Sequence, residues 1–230
     1  PEKFTMDGAG EDMFFLSNGH ISPMFYSILA HRGYFPVAEL ATFRRLGTRL
    51  QGHPTTAEGL PGVRVASGSL GQGLSVAVGV AQAKKLANDN HLVYVLMGDG
   101  EQEEGQIWEA AMYAPAKNVD NIVAIVDYNK KQIDGPTDDV LSLGDLRAKY
   151  ESFGWKVWEC NGNDMQELVD TFNKIRENSH KGQSQILLAH TEMGMGVDFM
   201  MGTHKWHGVA PNDEQAANAL SQLKETLGDY

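Results

Sequence analysis

Two residues thirty positions apart, Asp99 and Asn129, carry the densest chemical signal in this sequence. Asp99 sits in Gly98-Asp99-Gly100-Glu101, and Asn129 closes Val126-Asp127-Tyr128-Asn129. A carboxylate, an amide oxygen and a nearby backbone carbonyl make an incomplete shell of hard oxygens. Magnesium takes about six oxygens at roughly 2.0–2.1 Å and often borrows some from substrate phosphates. Gly98 and Gly100 let the backbone turn sharply and approach a ligand closely. Gly-Asp-Gly alone is a frequent strand-end turn; its pairing with Asn129 across a β-α-β unit makes a ligand site the better reading. A second signal is Gly68-Ser-Leu-Gly-Gln-Gly73, a glycine-rich turn that opens a helix and offers backbone N–H groups to an anion. A third is four histidines, His20, His53, His204 and His207, in glycine- or proline-flanked loops rather than on apolar faces. Histidine titrates near neutrality and both donates and accepts protons.

The elements that must position these groups follow from hydrophobic pattern. Residues 91–97 (HLVYVLM) and 122–126 (IVAIV) are short, β-branched and apolar on both faces, as strands of a buried parallel sheet are. Residues 103–117 between them have helical spacing, with Ile107, Ala110, Ala111 and Ala114 on one side. This β-α-β unit sets Asp99 and Asn129 at the carboxyl ends of neighbouring strands, where open α/β sheets bind ligands. Further strands are expected at 156–160 and 185–190. Helices are expected from Ser22-Pro23 to about Gly33, at 37–46, 71–87, 142–153, from Asp164 to about Asn178, and at 212–227. The 71–87 helix is apolar and small nearly all round, as a buried helix is. Residues 48–62, 136–143 and 193–208 read as loops. The fold class is α/β, a doubly wound, mostly parallel sheet flanked by helices, and the chain 1–230 is expected to be one domain.

Composition narrows the partners. Nineteen basic residues against thirty acidic ones give a net charge of −11, which argues against nucleic acid. No apolar stretch reaches about 18 residues, so no membrane span is expected. The one cysteine, Cys160, reads as a core thiol and suits a reducing, cytoplasmic setting. Trp155, Trp158 and the methionines are expected in the core. Glu104 reads as an acid complementing a helix dipole, and Glu101 as that or as a group ordering loops beside the metal. His31, His91, His180 and His190 read as structural or exposed.

Gly-Asp-Gly-Glu, a spacer of just under thirty residues and Asn closely resembles the diphosphate-and-metal motif of thiamine-diphosphate enzymes. Leu16-Ser-Asn-Gly-His20, Gln51-Gly-His-Pro54, 62–73 (GVRVASGSLGQG), Ile133-Asp-Gly135 and Gly202-Thr-His-Lys-Trp-His-Gly208 resemble successive transketolase motifs, in order. The resemblance implies a thiamine-diphosphate-binding fold of the diphosphate-binding type, with Mg²⁺ (Ca²⁺ or Mn²⁺ could substitute) held by Asp99, Asn129 and the carbonyl of Lys131. It implies cofactor contacts at His53, Gly68, Ser69, Leu70, Gly98, Asp99, Gly100, Glu101, Asn129, His204 and His207. It assigns chemistry and substrate handling to His20, His53 and His207. The sequence departs from the family at Ser69, where proline is usual, and at Lys130 and Lys131, where small or apolar residues are usual.

The resemblance begins after the family's customary first helical segment with its Ser-Gly-His-Pro motif. It also lacks the pyrimidine-binding domain, whose glutamate activates the cofactor. The implied protein is the N-terminal subunit of a split transketolase, an enzyme of pentose-phosphate type. It is expected to be active only with a partner pyrimidine-domain subunit, and to form a heterotetramer through a homodimeric contact. The implied reaction is transfer of a two-carbon ketol unit between phosphorylated sugars. Two alternatives stand beside it. One is another reaction on the same fold, of the 1-deoxyxylulose-5-phosphate synthase or phosphoketolase kind. The other is a non-catalytic subunit binding Mg²⁺ and a nucleotide, against which the absence of a GxxxxGK[ST] loop counts.

Overall fold

The structure, a computed structural model of the protein, describes residues 4–224. Seven strands and seven α-helices form along the described residues. They are β1 (Met13–Leu16), α1 (Ser22–His31), α2 (Gln72–Leu86), β2 (Val93–Gly98), α3 (Gly105–Ala116) and β3 (Ile122–Tyr128). Then come a two-residue hairpin of β4 (Lys131–Gln132) and β5 (Gly135–Pro136), and α4 (Thr137–Leu141). The series closes with α5 (Leu146–Ser152), β6 (Lys156–Asn161), α6 (Met165–Asn178), β7 (Gln185–His190) and α7 (Asp213–Gln222).

Five strands form one sheet in the order β1-β2-β3-β7-β6, and every pairing in it is parallel. Side chains alternate across the pleat, so each strand feeds both faces. Val93, Val95 and Met97 of β2 join a core with α2, α3 and α5. Tyr94 and Leu96 face the other way, Tyr94 into a core with α6 and Leu96 into one with α1 and its following loops. Helices therefore cover both faces, as expected for a doubly wound sheet. β7 is buried along Gln185–Ala189, which is why its sequence runs apolar without a period.

Several boundaries differ from the sequence reading. β1 belongs to no expected element: its four residues are too few to show a period beside the motif that follows. Residues 136–143 are not simply loop, since Thr137–Leu141 forms α4. The helix expected from 142 starts at Leu146, because the Asp145 side chain accepts from Ala148 N and caps it there. The 37–46 helix is a shorter 3₁₀ helix, Val37–Thr42. Ser22 does not cap α1; Ile21 holds that position, and the Ser22 hydroxyl donates instead to the carbonyl of Gly52. α2 is buried only along Gly73, Leu74, Ala77, Val78, Ala81 and Lys84, and Val76 and Gly79 face solvent. The methionines divide as well: Met13 and Met97 are core, whereas Met24, Met112, Met165 and Met195 are exposed. Residues 225–227 of the expected last helix lie outside the described residues. Among the described residues no helix is long and apolar enough to cross a membrane.

Candidate functional site

The carboxyl ends of β1, β2, β3 and β7 lie side by side, and each delivers polar groups to the same edge: Ser17, Asp99, Asp127 to Asn129, and Thr191. Asp99 is 2 % exposed. One of its carboxylate oxygens accepts from Gly100 N at 2.7 Å, and the other accepts from Lys130 N. The second bond ties the end of β2 to the residues that follow β3, so Asp99 and the 129–131 segment share one locus. Burial pushes the Asp99 carboxyl up to about 6, against the pull of its backbone donors and with the help of nearby Asp127. A cation there would supply the missing counter-charge.

Asn129 is held from both sides. Its amide nitrogen donates to Asp127 Oδ2 at 3.3 Å, and its Oδ1 accepts from Lys131 N at 2.9 Å. The Asn129 Oδ1 and each Asp99 oxygen keep a lone pair beyond these hydrogen bonds. Among the described residues no group of three or more His, Cys, Asp or Glu side chains is placed to hold a metal ion by itself. The donor set at this edge is instead one carboxylate, one amide and main-chain carbonyls, the set a small hard cation prefers. Lys130 has φ of 61°, the left-handed region. A Cβ costs roughly 1–2 kcal/mol there. Its ammonium group rests 5.7 Å from the centre of the Tyr128 ring. Gly100 packs so closely under the hairpin that a Cβ would meet Gln132 Cβ at 2.9 Å.

Glu101 is buried, 1 % exposed, and serves as a staple. One carboxylate oxygen accepts from the Ser17 hydroxyl and from Gly71 N at 2.8 Å, and the other accepts from Gly98 N at 3.1 Å. The Ser17 hydroxyl oxygen in turn accepts from Gly73 N at 3.1 Å. One side chain thus joins the loop after β1, the glycine turn before α2 and the end of β2. Position 73 must be glycine for this: a Cβ there would lie 2.3 Å from Ser17 Oγ. Burial drives the Glu101 carboxyl upward, and the three donors counter it. Of the two readings of Glu101, ordering of the loops is what the geometry supports. Glu104 stands at the N-terminus of α3, where an acid complements the helix dipole.

Two of the histidines pair on the open side of this edge. The rings of His20 and His207 lie 5.1 Å apart, tilted by 34°. Desolvation, then His207 and His53, lower His20 to about 4, so its ring is neutral near pH 7. Desolvation also lowers His207, against the pull of Asp127. The backbone N–H of His207 donates to the carbonyl of His204 at 2.9 Å. His53 exerts an electrostatic influence on His20, and His204 on His207. His91 instead pairs with Asp89 at 2.5 Å, and His190 stacks on Tyr128 at 5.2 Å, as structural groups.

Three contributors escaped the sequence reading. Asp127 accepts from the Thr191 hydroxyl and from the Asn129 amide, and it influences both Asp99 and His207. Its position in the Asp127-Tyr128-Asn129 stretch was the available signal. Thr191 and Glu192, just beyond β7, carried none. Two buried polar atoms beside the cleft, Asn18 Oδ1 and Ser67 Oγ, have no hydrogen-bond partner among the described residues. Asn18 lies next to Gly98, 3.9 Å from where its Cβ would be. Orphaned polar atoms beside a hard-oxygen donor set and a glycine turn at a helix start fit a phosphorylated, metal-linked ligand.

Comparison with known proteins agrees. Residues 5–228 match the family model described as transketolase, thiamine diphosphate binding domain. An apulose-4-phosphate transketolase subunit of Phocaeicola vulgatus is 41 % identical over 216 residues, which cover 94 % of this chain and 75 % of that protein. The 6-deoxy-6-sulfo-D-fructose transketolase subunit SqwG of a Clostridium species is 37 % identical over 214 residues, 93 % of this chain and 77 % of that one. The crystal structure of Pichia stipitis transketolase with sedoheptulose 7-phosphate superposes with a TM-score of 0.87 at 30 % identity, over 94 % of this chain. Transketolase from Campylobacter jejuni gives 0.86 at 30 % identity, over 95 %. The chain spans 33 % and 35 % of those two solved chains. It belongs to the transketolase family, as a member of its thiamine-diphosphate-binding domain.

Proposed function

We propose that residues 1–230 act as one diphosphate-binding domain, the first subunit of a two-chain transketolase that moves a two-carbon ketol unit between phosphorylated sugars. The observation that carries this reading is the single edge that brings Asp99 and Asn129 together and joins them through Glu101 to the glycine turn, with the paired rings of His20 and His207 as its histidines. In it, Asp99, Asn129 and the Lys131 carbonyl would hold a divalent cation, Mg²⁺, which would supply positive charge for the cofactor's diphosphate. Gly68, Ser69, Leu70, Gly98, Gly100, His204 and His207 line the remainder of the cofactor. Bound thiamine diphosphate supplies a thiazolium carbon acid able to take up a ketol fragment.

The work of this chain is to bind, orient and move protons. Glu101 fixes the three loops that form the cradle. His20, neutral near pH 7 with His53 and His207 beside it, has a free ring nitrogen lone pair for a sugar hydroxyl proton. The names of the Phocaeicola and Clostridium relatives, which are subunits, support a second chain carrying the pyrimidine side, and self-association through a homodimeric contact is part of the reading. The single buried cysteine suits a reducing, cytoplasmic setting.

Ketol transfer, assayed with this chain, the candidate partner chain, Mg²⁺, thiamine diphosphate and a panel of phosphorylated ketoses and aldoses, tests the proposal. Turnover is expected with both chains and not with this chain alone. Turnover of the same sugars by this chain alone would defeat the two-chain reading, and cofactor binding without turnover in any combination would defeat ketol transfer.

A further inference from the structure

Glu192 stands two residues past the end of β7 and gathers three separate segments. Its backbone N–H donates to Asn163 Oδ1 at 2.7 Å, which fixes it against the turn between β6 and α6. Its carboxylate oxygen Oε1 accepts from Gly202 N at 2.8 Å and closes the 193–201 loop on itself. The same oxygen pairs with Lys131 Nζ at 3.1 Å. The Lys131 side chain is 16 % exposed and that of Glu192 38 %. Gly202 N and the Lys131 ammonium both hold the Glu192 carboxyl below its usual range. Past Gly202 come His204 and His207, whose ring packs on His20. Trp206 Nε1 donates to the carbonyl of Phe199 at 2.9 Å, which ties the two halves of the loop together.

We propose that Lys131 is a positioning residue. Its side chain, through Glu192, latches the loop that carries His204 and His207 onto the hairpin whose carbonyl is assigned to the metal. The lysine that departs from the family's apolar pattern therefore has a defined task. Metal occupancy and histidine placement become coupled through one residue, because anything that orders the 129–131 backbone also orders the cation that holds the loop. The coupling rests on the metal assignment of the preceding section; the latch itself rests only on the contacts.

Lys131→Met tests it, since it keeps the carbonyl and the aliphatic stem and removes the charge. Amide hydrogen exchange over 193–207 in the cofactor-free protein is expected to quicken about tenfold, with peptides of α2 and α3 unchanged. Thiamine-diphosphate affinity in Mg²⁺, measured by calorimetry, is expected to fall roughly three- to tenfold. The conservative variant Lys131→Arg, which keeps a cation for Glu192 and leaves its oxygen to accept from Gly202 N, should keep the loop's protection, an outcome that general destabilisation does not give. Wild-type exchange over 193–207 in Lys131→Met overturns the latch, and faster exchange with unchanged cofactor affinity overturns the coupling. Asp99→Asn separates the two readings, because its amide oxygen can still accept from Lys130 N while the carboxylate charge is gone. It should weaken cofactor binding yet keep wild-type loop exchange, and full cofactor binding by that variant sinks the metal assignment while leaving the latch to be judged by exchange.

Discussion

The anchoring cradle and the histidine rim of this site are built in opposite ways. The cradle comes from the β2-α3-β3 unit. Its Asp99, Glu101 and Gln102 are each 2 % exposed or less; backbone N–H groups donate to the two carboxylates, and the Gln102 amide donates to the Gly98 carbonyl. Gln102 even spans to the α5 layer, where Tyr150 donates to it at 2.6 Å. The rim comes from segments distant in sequence, those of His20, His53 and 204–207, and long-range contacts such as that of Glu192 with Gly202 and Lys131 fix it. The difference separates two jobs. A metal-diphosphate anchor needs fixed oxygens in a site that does not relax, whereas proton-handling groups need access to substrate and solvent. A buried base with an accessible rim supplies both.

The largest expected break in that comparison is at the base. Asp99→Ala should reduce Mg²⁺-dependent thiamine-diphosphate binding by more than about 100-fold in calorimetric titration, beyond any single histidine change. A near-wild-type isotherm would remove Asp99 from the anchor. Glu101→Ala probes the base's folding role: it leaves three buried donors without their acceptor. A loss of about 3 kcal/mol in urea unfolding is expected, and a change under about 0.5 kcal/mol would show that the loops hold without the staple.

At the rim the expected signature is kinetic. His20→Ala and His53→Ala should each lower kcat/KM by about ten- to a hundredfold in the two-chain enzyme, with cofactor affinity nearly kept. Collapse of cofactor affinity with normal turnover of the loaded enzyme would move these residues into the cradle. The smallest effect concerns pH. His20 is lowered to about 4 in the folded chain, below the usual value of 6.5. The unfolded chain therefore takes up a proton first as the solution is acidified. His20's contribution to stability is intact above about pH 6.5 and is lost progressively down to about pH 4. His20→Gln should flatten the fall of the urea midpoint between pH 7 and 5. An unchanged slope would mean that the ring protonates alike in both states.

The contrast also sorts what was legible beforehand. The base was readable because its residues sit within one β-α-β unit, where apolar runs and a thirty-residue spacing leave a local trace. Cys160 and Trp155 went to the core as expected, and Asp164 caps α6 through Glu167 N at 3.0 Å. The rim's histidines were found through loop motifs, not through periodicity. What escaped depends on contacts between remote positions: Thr191 with Asp127, Glu192 with Lys131, Glu101 with Ser17. No window along the chain holds both partners of such a pair. β1 escaped for a different reason, its brevity.

That brevity has a cost during synthesis. Among the described residues, Met13–Leu16 finds its only strand partner at Val93–Leu96. Ribosomes add roughly 5–20 residues per second, so the apolar edge MFFL waits on the order of 4–16 seconds for the segment that will cover it. Meanwhile α1 can pack on its Phe14 and Leu16 face, since Phe25, Tyr26 and Leu29 belong to the same cluster. That early subcluster shields one side of the strand and leaves the other, Met13 and Phe15, bare until α2 and β2 emerge. The nascent chain is thus most exposed to aggregation while residues 32–92 are being added, and a chaperone that engages short apolar segments would find its target there.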